Sequence, residues 1–310
     1  MPKVPAPRRF GLFLPAVFCT LLWGSAFPAV KAGYTLFAIG ADDTFTKVLF
    51  AGVRFALAGA AVLLFSRLSG RKRVLPRRDL LPDVFLLSLT QTAVQYALFY
   101  ISLARISGSK GAMINATAVF FSVIFAHFMF KADRMTAGKA IGCALGFAGV
   151  ILVNLAGGLD GYGGFSFGGE GLMFISAMCT GVSSPITKRI TERGGDPMLA
   201  TGWQLTIGGS MLLLLGLGGG GRFAAISPAG VALLAYLIFL SAAAFTVWSV
   251  LLKYYPTSRV AVYNFLVPVF GTLLSGLFLH ESVLSVRNLF ALVLVSGGIA
   301  LVNHKRSAAA

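Results

Sequence analysis

Acidic side chains are scarce in this chain. It carries 10 Asp and Glu against 26 Lys and Arg, and charged residues fill only 12% of its 310 positions. Soluble domains carry about 25%, so a soluble globular fold is excluded. The acids are Asp42, Asp43, Asp79, Asp83, Asp133, Asp160, Glu170, Glu192, Asp196 and Glu281, and all map to loops or to the ends of apolar runs. No carboxylate is placed mid-membrane as a proton relay, which argues against cation–drug antiport of the small multidrug type. Cysteine is equally rare. Cys19, Cys143 and Cys179 are odd in number and sit inside apolar stretches, which excludes a disulfide framework and any metal spacing. His127, His280 and His304 lie in separate segments. No nucleophile–base pair is suggested by position, so neither an enzyme nor a cofactor is expected.

What is abundant is apolar. Hydrophobic residues make up 57% of the chain, Gly occurs 37 times, and mean hydropathy is +0.84. Long uncharged stretches recur throughout, the mark of a polytopic helical membrane protein embedded in lipid. The net charge of +16 has no aromatic-interleaved basic patch to suggest nucleic acid. Basic loops on the cytoplasmic side of a membrane account for it.

Ten apolar spans can be read: 10–30, 47–67, 83–104, 110–130, 137–157, 170–188, 198–218, 229–252, 258–280 and 287–303. Open strands cannot satisfy their backbone in lipid, and runs such as Ala140–Leu155 show no period of two, so the spans are helices and a barrel is excluded. The first span imitates a signal peptide, with Arg8-Arg9 before it and Gly24-Ser25-Ala26 as a cleavage-like site. The same local pattern recurs at mid-chain, where cleavage makes no sense. With a cytoplasmic N-terminus, 19 Lys and Arg fall inside and six outside, leaving Arg54 within the second span. This bias assigns both termini to the cytoplasm of a cell inner membrane. The strongest anchor is Arg71-Lys72-Arg73 with Arg77-Arg78.

The two halves resemble each other. A shift of 149 residues aligns Leu103–Asn154 with Leu252–Asn303 without a gap, pairing Ser109 with Ser258, Lys110 with Arg259, Asn115 with Asn264, and Asn154 with Asn303. Gly24-x3-Pro28-x2-Lys31 likewise pairs with Gly181-x3-Pro185-x2-Lys188. Five spans per half is an odd number, so the second half enters the membrane from the opposite side, an arrangement associated with alternating access. The expected organisation is an all-α membrane protein of ten transmembrane helices in two five-helix inverted-topology repeats. A cytoplasmic tail at 1–9 precedes the first repeat at 10–157. A periplasmic Gly-rich linker at 158–169 leads to the second repeat at 170–303, and a cytoplasmic tail at 304–310 ends the chain.

Several ordered pieces carry a family likeness. They are Leu22-Trp23-Gly24-Ser25-Ala26-Phe27 leading to Lys31, Arg54-Phe55, and Tyr96-Ala97-Leu98-Phe99-Tyr100. Pro268 upstream of His280-Glu281 and the Gly-rich fifth and tenth spans complete the set. In these the chain resembles the drug/metabolite transporter superfamily, specifically the ten-helix EamA-type transporters, over nearly its whole length. That resemblance implies two inverted halves and export of amino acids or related metabolites, with YddG-like amino-acid exporters nearest in kind. Two positions depart from the pattern: Val119 stands where helix four usually has proline, and the acid near the end of that helix is displaced to Asp133.

Polar residues inside spans are costly, and they mark either a ligand site or interhelical contacts. At 100° per residue, Ser88, Gln91, Gln95 and Ser102 share a face of the third helix, flanked by Tyr96 and Tyr100. They read as a cavity wall or as hydrogen-bonded glue. Trp203 shares a face with Thr206 and Ser210, with Gln204 beside it; the indole suits a ligand's ammonium or the interfacial belt. Asn115 and Asn264 occupy equivalent positions, for ligand contact or for packing. Arg54 is suited to a substrate carboxylate, or to snorkelling. Pro28, Pro185 and Pro268 each remove a helical hydrogen bond, making them hinge candidates. Gly142-x3-Gly146-x2-Gly149 reads as a packing face. The function these residues suggest is a monomeric, facilitative exporter of a small, zwitterionic amino acid-like substrate, bound near the midplane. The alternatives are transport of a nucleobase, sugar conjugate or amphipathic drug, or a membrane-embedded lipid-modifying enzyme.

Overall fold

The computed structural model describes residues 11–70, 75–129, 135–155, 165–254, 262–281 and 286–303. Both tails, the Arg71-Lys72-Arg73 anchor, Asp133, most of the Gly-rich linker, and Ser258 with Arg259 lie outside the described residues. All regular structure among the described residues is helical. In chain order the helices are α1 (Phe13–Leu36), α2 (Thr44–Leu68), α3 (Arg78–Leu103), α4 (Gly108–Met129) and α5 (Ala137–Leu155). They continue with α6 (167–192), α7 (Pro197–Gly218), α8 (Pro228–Tyr254), α9 (262–279) and α10 (Val286–Asn303). Six of these, α1 to α4, α7 and the Pro228–Trp248 part of α8, are long and apolar enough to cross a membrane. The chain is a multi-pass membrane protein.

Local chemistry sets the helix starts. Asp43 accepts from Thr46 N at 3.0 Å to begin α2, and Ser107 accepts from Lys110 N at 3.1 Å to begin α4. Asp196 accepts from Met198 N and Leu199 N, with Pro197 in the first turn of α7. Lys47, in the first turn of α2, is fully buried, and its ammonium donates to the Ala41 carbonyl.

Glycine decides how closely the helices pack. The seam of α2 with α7 is the most extensive in the molecule. Along it, Gly52 and Gly59 face Gly202, Gly209 and Gly216, all spaced by seven residues. A Cβ on Gly209 would stand 2.2 Å from Ala56 N, so the two backbones touch with no room for a side chain. The second seam joins α5 to α10, where a Cβ on Gly298 would meet Gly142 O at 2.5 Å. Around these, α1 packs on α9 and α8, while α6 packs on α4 and α3. Without a hydrophobic force between helices in lipid, such backbone contact supplies the association.

Besides α6, which opens with a π-helical turn over Phe167–Gly171, three helices are irregular. Over Ser88–Val94, α3 widens to a π-helical stretch. The face drawn at 100° per residue therefore does not run straight from Ser88 to Ser102, and the four-residue stripe is divided. α4 is interrupted after Asn115, and α9 begins as a 3-10 turn over Val262–Phe265 before turning α-helical at Leu266.

Candidate functional site

A buried cation organises the centre of the helix packing. Arg54 lies ten residues into α2, about 15 Å along its axis, and is 3% exposed. Its Nε donates to Ser241 Oγ on α8 at 2.9 Å and its Nη1 to Tyr100 Oη on α3 at 3.0 Å. The guanidinium stands 4.7 Å from the Phe55 ring centroid. Snorkelling is ruled out by this geometry. Among the described residues no carboxylate pairs with Arg54, a costly state for a charge at this depth.

Aromatic rings surround the cation. Tyr96 lies against Phe55 with centroids 3.9 Å apart, and Tyr100 is set edge-on to Phe50 and Tyr34. Tyr34 Oη donates to Tyr100 O at 2.6 Å. Arg54, Tyr96 and Tyr100 are thus brought together. A second ring cluster, Trp23 with Phe245 and Trp248, joins α1 to α8.

The other candidates separate into distinct places. Ser88 is fully buried and donates to Val84 O within its own helix. Gln204 Oε1 accepts from Thr92 Oγ1 at 3.0 Å across the α3–α7 seam. Gln95 is buried and Gln91 half-buried. Ser102 donates to Gly169 O at 2.6 Å, far along α3 from Ser88. Trp203 packs on an apolar cluster of Leu80, Val84, Leu87, Ile186, Ile190 and Ala200, apart from the Arg54 rings. Pro28 and Pro185 sit within unbroken α-helix, and Pro268 is buried near the start of the α-helical part of α9. Asn115 and Asn264 are both half-buried, at the irregularities of α4 and α9.

The turn between α3 and α4 gathers charged contacts from residues at the ends of apolar runs. Lys110 and Glu170 form an ion pair with side chains 1% and 3% exposed. Glu281, just past α9, accepts from Gly108 N at 2.6 Å, Ser109 N at 2.9 Å and Ser109 Oγ at 2.5 Å. Lys31 Nζ donates to Ile106 O at 2.6 Å. One turn is therefore tied to α1, α6 and the end of α9. The signal in the sequence was the paired Lys110 and Arg259; its partners are distant in the chain and had no local pattern. At the opposite end, Asp83 of α3 pairs with Arg189 of α6 at 3.3 Å and with Arg193, just past its end, at 2.8 Å. His127 Nδ1 accepts from Met135 N at 2.9 Å, which fixes the ring at the end of α4.

A bundle of apolar helices packed on glycine, with a buried cation held by hydroxyls among rings, defines a multi-pass membrane protein built around a polar interior point. Comparison with known proteins gives the family. The chain matches the EamA-like transporter family twice, over residues 10–155 and again over 167–304, and it belongs to that family. It is 29% identical to the uncharacterized transporter YvbV of Bacillus subtilis (strain 168), over 99% of this chain and 95% of that protein. It is 27% identical to the uncharacterized inner membrane transporter YedA of Escherichia coli (strain K12), over 86% and 83% of the two chains. A third relative, the uncharacterized transporter sll0355 of Synechocystis, is 29% identical over 96% and 90%. These names state transport and no substrate. One solved crystal structure shares the fold with a TM-score of 0.66 at 18% identity, covering 94% of this chain and 95% of that one.

Proposed function

We propose that this chain exports amino acids or related zwitterionic metabolites across an inner membrane by alternating access, as a monomer and without proton coupling. The observation that carries the substrate class is Arg54, a buried guanidinium near mid-span with two neutral hydroxyl partners and no carboxylate among the described residues. A substrate carboxylate supplies the missing charge, and Phe55, Tyr96 and Tyr100 give its apolar part a wall.

Two inverted halves provide the moving parts. The double family match supports this reading. So does the packing: α2 on α7 and α5 on α10 each pair with their own equivalent, and α1 on α9 is mirrored by α6 on α4. The Lys and Arg bias supports cytoplasmic termini, which put the Lys110–Glu170 end on the outside.

The test is counterflow of labelled neutral amino acids in liposomes. Saturable exchange should be inhibited by free amino acids and not by their carboxamides. Arg54→Gln should weaken apparent affinity about 10–100-fold, the loss of a charged hydrogen-bonded contact. Equal competition by the carboxamides, or no exchange of any amino acid, would overturn the reading.

A further inference from the structure

Four helices pair in two equivalent ways. A Cβ on Gly24 of α1 would stand 2.6 Å from the Phe270 Cβ and 2.9 Å from Gly271 N on α9. A Cβ on Gly181 of α6 would stand 2.4 Å from the Phe121 Cβ and 2.9 Å from Ser122 N on α4. Gly24 matches Gly181 in the repeated Gly–Pro–Lys pattern, and Phe270 matches Phe121 at the 149-residue shift. The same backbone contact is thus made twice, joining α1 to α9 and α6 to α4. A seam with no room for a side chain holds its two helices together as one body. The buried Lys110–Glu170 pair lies within the second body, tying the start of α4 to the start of α6.

What joins the two bodies is of another kind. Every residue of α4 from Gly108 to Ile114 is buried, and this stretch packs on α9, whereas Ala118–Met129 packs on α6. At the end of α9, His280 takes a left-handed backbone with φ +54°, and the next residue, Glu281, reaches the first N–H groups of α4. Its carboxylate takes Gly108 N, Ser109 N and Ser109 Oγ, all donors from the other body. Lys31 of α1 adds a second tie, to Ile106 O just before α4. The interface that these contacts close is itself poorly satisfied. Ser275 Oγ, against Gly108, and Thr272 Oγ1, one turn away on α9, are buried without a hydrogen-bond partner. Stranded hydroxyls favour opening to water, and the charged contacts hold the interface shut. A left-handed non-glycine residue beside stranded hydroxyls marks a contact that is made in one state and broken in another.

We infer that Glu281, with Lys31, is a latch that holds this end of the bundle closed. The end opens when α1 and α9 swing away from α4 and α6; the Glu281 carboxylate and the α4 N–H groups then exchange one another for water. The Lys110–Glu170 pair, internal to one body, stays intact throughout. The latch rests on the transport reading, in which this end opens once in each cycle. Thiol labelling reads it with no solute present. A latch that opens in a protein exchanging no amino acid would overturn the substrate reading and leave the latch standing. Amino-acid exchange by a protein whose labelling ignores Glu281 would overturn the latch alone.

The experiment uses full-length protein carrying Asn115→Cys, half-buried and next along α4 after the buried stretch. An impermeant maleimide is applied to right-side-out and inside-out vesicles, and Phe165→Cys marks the side on which the Glu281 end lies. From that side the reporter should react slowly behind the intact latch. Glu281→Gln should raise its rate about tenfold, the loss of a charged hydrogen-bonded contact, and Lys31→Met should move it in the same direction. Lys110→Met/Glu170→Gln breaks no contact between the bodies and should leave the rate unchanged. The buried native thiols Cys19 and Cys143 should stay unlabelled in the latch variants. An unchanged rate in Glu281→Gln would overturn the inference, as would an equal rise in the Lys110–Glu170 double variant. A reporter that reacts as fast as Phe165→Cys behind the intact latch would overturn it too. So would labelling of Cys19 and Cys143 in the latch variants, which means a loosened fold and not an opened end. Should Glu281→Gln fail to fold, an unchanged rate in Lys31→Met overturns the inference as well.

Discussion

Lys110 and Glu170 give the sharpest energetic test of the turn between α3 and α4. Their side chains are 1% and 3% exposed, so neither charge keeps useful contact with water. Lys110→Met preserves the length of the side chain and removes the ammonium. The Glu170 carboxylate then retains only Ser166 N at 2.9 Å and Ser166 Oγ at 3.1 Å. Breaking a buried pair by removing one partner costs about 3–5 kcal/mol. The two serine donors place this variant at the low end, near about 3 kcal/mol. Glu170→Gln strands a buried ammonium and should cost about 3–5 kcal/mol. The double variant Lys110→Met/Glu170→Gln removes both charges together and should lose only about 0–2 kcal/mol, leaving a coupling of at least about 4 kcal/mol. At about 2 °C per kcal/mol, each single variant should melt about 6 °C or more below the wild type. The chain carries its own reporter: Cys19 and Cys143 are buried thiols that a fluorogenic maleimide reaches only on unfolding. Single losses that simply add in the double variant would refute the buried-pair reasoning, because independent residues have no shared charge to relieve.

Gly209→Ala should destabilise by about 1–3 kcal/mol despite alanine's better helix propensity, since its Cβ meets the α2 backbone at 2.2 Å; Gly218→Ala, with open space around it, should be neutral or gain up to about 0.5 kcal/mol, and equal melting of the two would contradict the glycine seam. Glu281→Ala should cost about 1–2 kcal/mol by uncapping α4, with Glu281→Gln falling between it and the wild type; unchanged melting of the alanine variant would remove the cap from the account. A single cysteine introduced at Phe165 should react with an impermeant maleimide from outside intact cells while one at Gly70 should not, and the reverse pattern would invert the orientation drawn from the basic residues.

Composition alone determined that this chain lives in a membrane as helices, because long uncharged runs leave the backbone no other way to bond. Proline chemistry also belongs to the sequence: Pro268 has no N–H to donate wherever it sits in a helix. Arg54 stood out as the basic residue left inside a span and periodicity placed Tyr96 and Tyr100 beside one helix face, and tertiary packing chose the contacts they make. Snorkelling and burial of Arg54 predict the same sequence; Ser241, 187 residues away, holds the guanidinium inside. The straight polar face of α3 failed because π-helical widening over Ser88–Val94 is a response to packing on α7, where Gly208 admits Thr92 and the Ser88 carbonyl. The glycine heptads of α2 and α7 stood in plain view, yet spacing does not say which helix lies opposite. Lys110, Glu170 and Glu281 read only as charges at span ends, because burial there is set by which neighbours close over it. Those neighbours come from the other half of the chain, and only the folded arrangement brings them there.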